Sequence, residues 1–200
     1  MGQAEADALA EAAHRLGLGI PGVTVPREAY EPDVTGRDLL PRRRIIGLMG
    51  YAHAGKDTAA EGLIAAGWTR VAFADALKAV AQHIGWDGRK DAHGRVLLQR
   101  LGVAVRDYVD SEAWVRAAAR TIDGIDGDVV VTDVRFPNEV EFIRARCGMV
   151  VRIDRPGTGP LNDHASEHAW TGARPDFVLL NDGDPKAIQR QLHDLTVRAA

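Results

Sequence analysis

Cysteine is all but missing from this 200-residue chain, and Cys147 is the only one. A lone cysteine cannot close an intramolecular disulfide, which fits a reducing compartment, and Cys147 itself reads as a small buried apolar residue. Long apolar runs are missing too. No stretch approaches the ~20 residues that a membrane-spanning helix needs, and the acidic N-terminus lacks the basic start of a signal peptide. No membrane partner is expected, and the expected location is the cytoplasm. The chain has no basic surplus either, with 25 Lys and Arg against 28 Asp and Glu and a net charge of -3. A protein that coats a nucleic-acid polymer must neutralise many phosphates, so that partner is excluded. A small anionic ligand is not, because a local cluster of cations can sit inside an acidic whole. Internal repeats and low-complexity tracts are absent.

What is present is an ordinary globular composition, 46% apolar and 26% charged, in a chain long enough for one domain with a real core and a short appendage. Residues 4–16 read as a short Ala-rich helix with Leu9, Ala13 and Leu16 on one face. Gly17, Gly19, Pro21, Gly22, Pro26, Pro32, Gly36 and Pro41 then punctuate the chain too densely for regular structure. Residues 1–42 are therefore expected to form an appendage and 43–200 the domain proper. The basic run Arg42-Arg43-Arg44 reads as a solvated edge before the first strand.

Ile45 to Met49 is a short apolar run suited to a strand buried on both faces. Helix is expected over about 56–66, strand over 69–73, and helix over about 75–84. A flexible polar segment over 86–94 should follow, then a helix through Val96 and Leu101 ending at Gly102, and another over about 111–122. Val129 to Asp133 is the second buried strand, with a helix over about 138–146. Strands over 149–153 and 177–180 follow, and Pro185 opens a terminal helix to about 197. Strands alternating with helices predict an α/β fold, a three-layer sandwich whose mostly parallel sheet carries helices on both faces.

Gly50-Tyr51-Ala52-His53-Ala54-Gly55-Lys56-Asp57-Thr58 sits between the first strand and the first helix of the domain. Two glycines five apart with a lysine after the second have the spacing of a phosphate-binding P-loop. Glycines let successive N–H groups turn inward onto phosphate oxygens, the helix N-terminus adds partial positive charge, and lysine supplies a full one. Gly50, His53, Ala54, Gly55, Lys56, Asp57 and Thr58 are thus the expected ATP-phosphate contacts, with Lys56 exposed in the loop. The standard loop has Ser or Thr directly after the lysine as a Mg²⁺ ligand, and this chain has Asp57 there. A carboxylate facing a polyphosphate calls for a metal ion between them, so Asp57 is expected near Mg²⁺, directly or through water, or against the acceptor phosphate. A helix-terminal carboxylate stabilised by the dipole is the alternative.

Gly-Lys-Asp-Thr after an apolar strand resembles the bacteriophage deoxynucleoside monophosphate kinases and, more distantly, the animal-type phosphomevalonate kinases. The resemblance runs from about Ile45 to Leu192. It takes in Phe73-Ala74-Asp75-Ala76-Leu77-Lys78, Leu98-Gln99-Arg100-Leu101-Gly102 and Trp114. It continues through Thr132-Asp133-Val134-Arg135-Phe136-Pro137-Asn138-Glu139, Arg155-Pro156-Gly157, His164 to Glu167, and Asn181-Asp182-Gly183. Such a kinase moves the γ-phosphate of ATP onto a (deoxy)nucleoside monophosphate with Mg²⁺ as cofactor. It would work in the host cytoplasm if of phage origin, and a homodimer stays open.

The resemblance implies that the segments around Lys78, Gly102, Trp114 and Asp133 to Glu139, Asn138 included, line the monophosphate pocket. Arg100 and Arg106 flank Gly102 and are candidate phosphate ligands or solvated cations, and Glu139 could accept from the base or sugar or serve as a first-turn helix carboxylate. Asp133 ends a buried strand, where open α/β sheets place their crevice. It could hold Mg²⁺ through water, orient a sugar hydroxyl, or simply cap a helix. Arg135 can fork onto phosphate as charge moves from donor to acceptor. Lys56, Asp57, Asp133 and Arg135 are the expected catalytic set. Trp114 could stack on a base or pack in the core. Arg155 and Arg174 bracket a Gly/Pro-rich excursion containing His164 and Glu167, which resembles a lid that would exclude water. His164 and His168 are not expected to hold a catalytic metal. The rival functions are a kinase for another small phosphorylated acceptor, phosphomevalonate-like, and a nucleotide-hydrolysing switch module.

Overall fold

Five short strands, β1 (Ile45–Met49), β2 (Thr69–Val71), β3 (Val129–Val134), β4 (Met149–Asp154) and β5 (Phe177–Leu180), pair in the order β2-β3-β1-β4-β5. Every neighbouring pair is parallel. The computed structural model describes residues 43–198, so the appendage expected over 1–42 lies outside the described residues. The helices are α1 (Lys56–Ala65), α2 (Ala74–His83), α3 (Ala92–Tyr108), α4 (Ala113–Asp123), α5 (Pro137–Ala145), α6 (Ala165–His168) and α7 (Pro185–Arg198). The described residues divide into two units, one of Lys78–Ala113 and one of Arg43–Leu77 with the chain from Trp114 onward.

In the larger unit, β1 is apolar on both faces because it is central, and all five of its residues are buried. Alternate side chains serve opposite layers. Ile45 and Met49 join Val129, Val131 and Val150 on the face covered by Val115, Ala118 and Ile122 of α4 and by Val140 and Ile143 of α5. Ile46 and Leu48 join Val130, Val151 and Ile153 on the other face, under Ala59, Ala60 and Leu63 of α1 and Ile188 and Leu192 of α7. Each fully buried side chain of this size stabilises by about 1.5–3 kcal/mol. This is the expected sandwich, and it sets the C-terminal ends of β1, β3 and β4 side by side, where open parallel sheets place their ligand crevice.

Several local expectations change. β2 stops at Val71 rather than Phe73, because the Phe73 and Ala74 amides turn away to donate to Asp133. Residues 86–94 are not wholly irregular: Asp91 caps α3 by accepting from the Gly94 amide at 2.8 Å. α3 then passes through Gly102 instead of ending there, since Leu101, Gly102 and Val105 are buried on one face, which outweighs the roughly 1 kcal/mol penalty of a helical glycine. Of the arginines before β1, Arg42 lies outside the described residues, Arg43 is half-buried, and Arg44 is exposed but paired. Arg43 donates to the Ile122 and Ile125 carbonyls, and Arg44 holds Asp128 and lies 5.0 Å above the Trp68 ring. Cys147 is exposed, not buried, in the left-handed turn (φ 55) that closes α5.

Candidate active site

The loop from Gly50 to Gly55 leaves the end of β1 and opens α1. Gly50 (φ 135) and Gly55 (φ 97) hold conformations that L side chains rarely adopt. Space forbids a side chain as well. A Cβ at Gly50 would collide with the Ile153 carbonyl oxygen on β4, and one at Gly55 would overlap the Asn181 carboxamide. His53 also has positive φ (64) and is exposed. Gly55 is the N-cap of α1 and contributes no side-chain cap, an arrangement that suits an anion at the helix N-terminus.

Lys56 is buried at 9% exposure, which corrects the expectation of an exposed loop lysine. Its Nζ donates to the loop's own carbonyls, Gly50 at 2.8 Å and Tyr51 at 2.7 Å. Burial foremost, and then the nearby Arg135 charge, bring its pKa down from 10.5 to about 8 against the upward pull of Asp57, Asp133 and Glu167. Asp57 is exposed in the first turn of α1 and Thr58 half-buried behind it.

β3 delivers the next residues. Asp133 accepts from the Phe73 amide through Oδ1 (2.8 Å) and from the Ala74 amide through Oδ2 (2.9 Å), so its carboxylate pins the N-terminus of α2. Glu139, 1% exposed, folds back over the first turn of α5 and accepts from the Arg135 amide at 2.6 Å and the Phe136 amide at 3.1 Å. The structure thus gives both carboxylates the helix-terminal duty that the sequence left open. Arg135, whose backbone is held in this way, sends Nη1 to Glu167 Oε1 (2.8 Å) and to the Ser166 carbonyl (3.2 Å).

The excursion after β4 makes several hydrogen bonds and one ring contact. His164 caps α6, its Nδ1 accepting from the Ser166 amide at 3.1 Å, and Glu167 is buried beneath. Trp170 meets Tyr51 of the phosphate loop edge-on, ring centroids 4.9 Å apart at 70°. Arg155 is exposed and reaches the His53 carbonyl at 3.4 Å. Arg174 is exposed, and its carbonyl accepts from Arg144.

Trp114 is a core side chain at 2% exposure, not an open platform. Asn138 is half-buried in the first turn of α5. Lys78, on α2, and Arg100, Gly102 and Arg106, on α3, belong to the other unit. There Lys78 and Arg106 are half-buried, Arg100 exposed and Gly102 buried. The structure brings Lys56, Asp57, Asp133, Arg135, Glu139 and Glu167 into one unit. Sequence reasoning missed two supports of the loop. Asn181 had a signal, its place after the last strand, whereas Trp170 had none.

Among the described residues no group of three or more His, Cys, Asp or Glu could hold a metal ion, and no helix is long and apolar enough to cross a membrane. A family model described as deoxynucleotide monophosphate kinase matches residues 73–192. A putative deoxynucleotide monophosphate kinase of Acanthamoeba polyphaga mimivirus is 30% identical over 172 residues, 69% of this chain and 88% of the relative. The deoxynucleotide monophosphate kinase of Escherichia phage RB69 is 31% identical over 106 residues, half of this chain and 43% of the phage protein. A solved protein of Thermus thermophilus superposes over 80% of this chain and all of its own at a TM-score of 0.50 and 18% identity, which is likeness of fold.

Proposed function

Because the chain belongs to the deoxynucleotide monophosphate kinase family, we propose that it transfers the γ-phosphate of ATP to a deoxynucleoside monophosphate, giving the diphosphate and ADP. The observation that carries this reading is the convergence of an uncapped helix N-terminus, a buried lysine and the Arg135 guanidinium in one unit. The glycine loop lies outside the segment matched by the family model, so loop and family match are independent supports.

In this reading the loop amides and the first turn of α1 hold the donor phosphates. Lys56 exchanges the Gly50 and Tyr51 carbonyls for phosphate oxygens, a short move for a long side chain. An acceptor phosphate oxygen attacks the γ-phosphorus in line, and the bond to the bridging oxygen breaks, leaving ADP. That oxygen is already anionic, so no strong general base is needed, and the protein positions the groups and stabilises charge.

The donor set fits Mg²⁺, which keeps several waters and takes one or two carboxylates beside phosphate oxygens. Asp57 is exposed at the phosphate end of α1 and would hold the ion directly or through water, with charge neutralisation on the phosphates as its contribution. Asp133, already donating order to α2, acts at one remove. Lys78, Gly102 and Asn138 remain acceptor assignments drawn from the family pattern, and Arg100 and Arg106 remain candidates from their place beside Gly102. Trp114 is packed away, so no sugar contact is assigned to it.

The test is to incubate the protein with ATP, Mg²⁺ and each deoxy- or ribonucleoside monophosphate in turn and to separate the products. Diphosphate should form from at least one deoxynucleotide, at a higher kcat/KM than from its ribo counterpart. ATP hydrolysis without transfer to any monophosphate would sink the reading in favour of a switch module.

A further inference from the structure

We propose that Glu167 is a positioning residue for phosphoryl transfer, gripping Arg135 by one nitrogen so that the rest of its guanidinium is presented to a phosphate beside Lys56. The proposal rests on the kinase reading above and assigns Glu167 a different part from a lid residue.

Three observations carry it. First, Glu167 is a fixed carboxylate. Its side chain is 5% exposed, Oε1 accepts from Arg135 and Oε2 from the Leu161 amide at 3.3 Å. The short helix that bears it is capped by His164 on one side and followed on the other by Trp170, seated against Tyr51. A buried carboxylate must be paired, and such anchoring leaves it little freedom to follow a moving arginine.

Second, Arg135 is held at one corner only. Nη1 makes both side-chain contacts, to Glu167 and to the Ser166 carbonyl, while Nε and Nη2 have no protein partner among the described residues. The Arg135 side chain is 30% exposed. A guanidinium keeps a rigid planar fork of donors, so fixing one corner orients the others, and a phosphate takes two of them in parallel. A carboxylate meant to sequester the arginine would occupy the fork with both oxygens. Here the second oxygen is spent on Leu161.

Third, the backbone of Arg135 is fixed separately. Glu139 accepts from its amide at 2.6 Å, so one carboxylate sets the main chain and another the side chain. Lys56 feels the Arg135 charge, which puts the two cations within electrostatic reach. Glu167 offsets their mutual repulsion until phosphate arrives.

The experiment measures kcat, KM and ATP affinity for Glu167→Gln, Arg135→Ala and the double variant, with ATP and the best deoxynucleoside monophosphate. Loss of an orienting partner costs roughly 10- to 100-fold in comparable supporting shells. Glu167→Gln is expected to lower kcat by about that factor, with ATP affinity within about threefold of wild type. The double variant should be no slower than Arg135→Ala alone, because Glu167 acts only through Arg135. A raised kcat in Glu167→Gln would show sequestration instead, and multiplying defects would show independent action; either overturns the proposal. Should the Gln variant not fold, Glu167→Asp retracts the grip by one methylene and should lower kcat several-fold at unchanged ATP affinity, and an unchanged kcat would overturn the idea. An active wild type with an unaffected variant defeats this proposal alone. A wild type inactive on every monophosphate defeats the kinase reading and this with it.

Discussion

The Asn181 carboxamide fills the space that a side chain on Gly55 would need, and from there its Nδ2 donates at 2.8 Å to the Ala54 carbonyl. Its Oδ1 accepts from the Gly183 amide, and its own amide donates to the Asp154 carbonyl, so the end of β5 props the phosphate loop from behind. The loop's curl is therefore set by a residue more than a hundred positions away as well as by its glycines.

Asn181→Ala should leave the Ala54 carbonyl buried without its partner, at a cost of about 1–3 kcal/mol. Thermal unfolding should show the loss of stability, and ATP titration should show weaker binding through the slackened loop. Unchanged ATP affinity in a destabilised variant would confine Asn181 to a packing role.

Lys56→Ala should abolish transfer to every monophosphate. Because Nζ is buried against two carbonyls, the variant should also lose roughly 1–3 kcal/mol of stability. Turnover and urea unfolding check the two parts separately. More than a tenth of wild-type turnover would count heavily against Lys56 as the phosphate lysine.

Asp57→Asn should keep its stability within about 0.5 kcal/mol, as exposed substitutions do. Its turnover should fall far more than its ATP binding, and the Mg²⁺ concentration for half-maximal rate should rise. A variant with wild-type rate and metal dependence would return Asp57 to a helix-dipole role.

Asp128→Asn tests the entry to β1 through pH. Partial burial raises the Asp128 carboxyl, but the side-chain and backbone hydrogen bonds from Arg44 and its charge outweigh that, so the folded value lies below the ordinary 3.8. A carboxyl lowered on folding stabilises above its unfolded value and loses that contribution as pH falls through the folded one. The pair is partly exposed, so solvent screening holds its worth to about 0.5–1 kcal/mol at neutral pH. Urea unfolding should show the variant weaker at neutral pH and level with wild type well below pH 3.8. A constant gap across that range would rule out the ionised pair as its cause.

Much of this is legible in the sequence. The alternation of apolar strands and amphipathic helices predicts the parallel sandwich, because a strand buried on both faces must be apolar throughout and each helix must bury one side. The glycine spacing and Lys56 mark the phosphate loop, since only those residue types permit its backbone. The ends of elements were less legible: α3 passes Gly102, and β2 stops two residues early. A glycine's local preference is weak against burial of Leu101 and Val105, and a strand ends where a distant carboxylate takes its amides.

The sequence by itself determined the order of strands and helices, the place and chemistry of the loop, and the family, because these follow from local pattern and residue type. Only the tertiary structure decided which charges are tied to backbone amides and which are not. Asp133 and Glu139 stand in the same short stretch as Arg135, yet both carboxylates accept backbone amides while two nitrogens of the arginine have no protein partner among the described residues. Glu167, Trp170 and Asn181 support the site from distant segments. Their roles depend on which groups they meet across the fold, and a single chain's order of residues does not fix those distances.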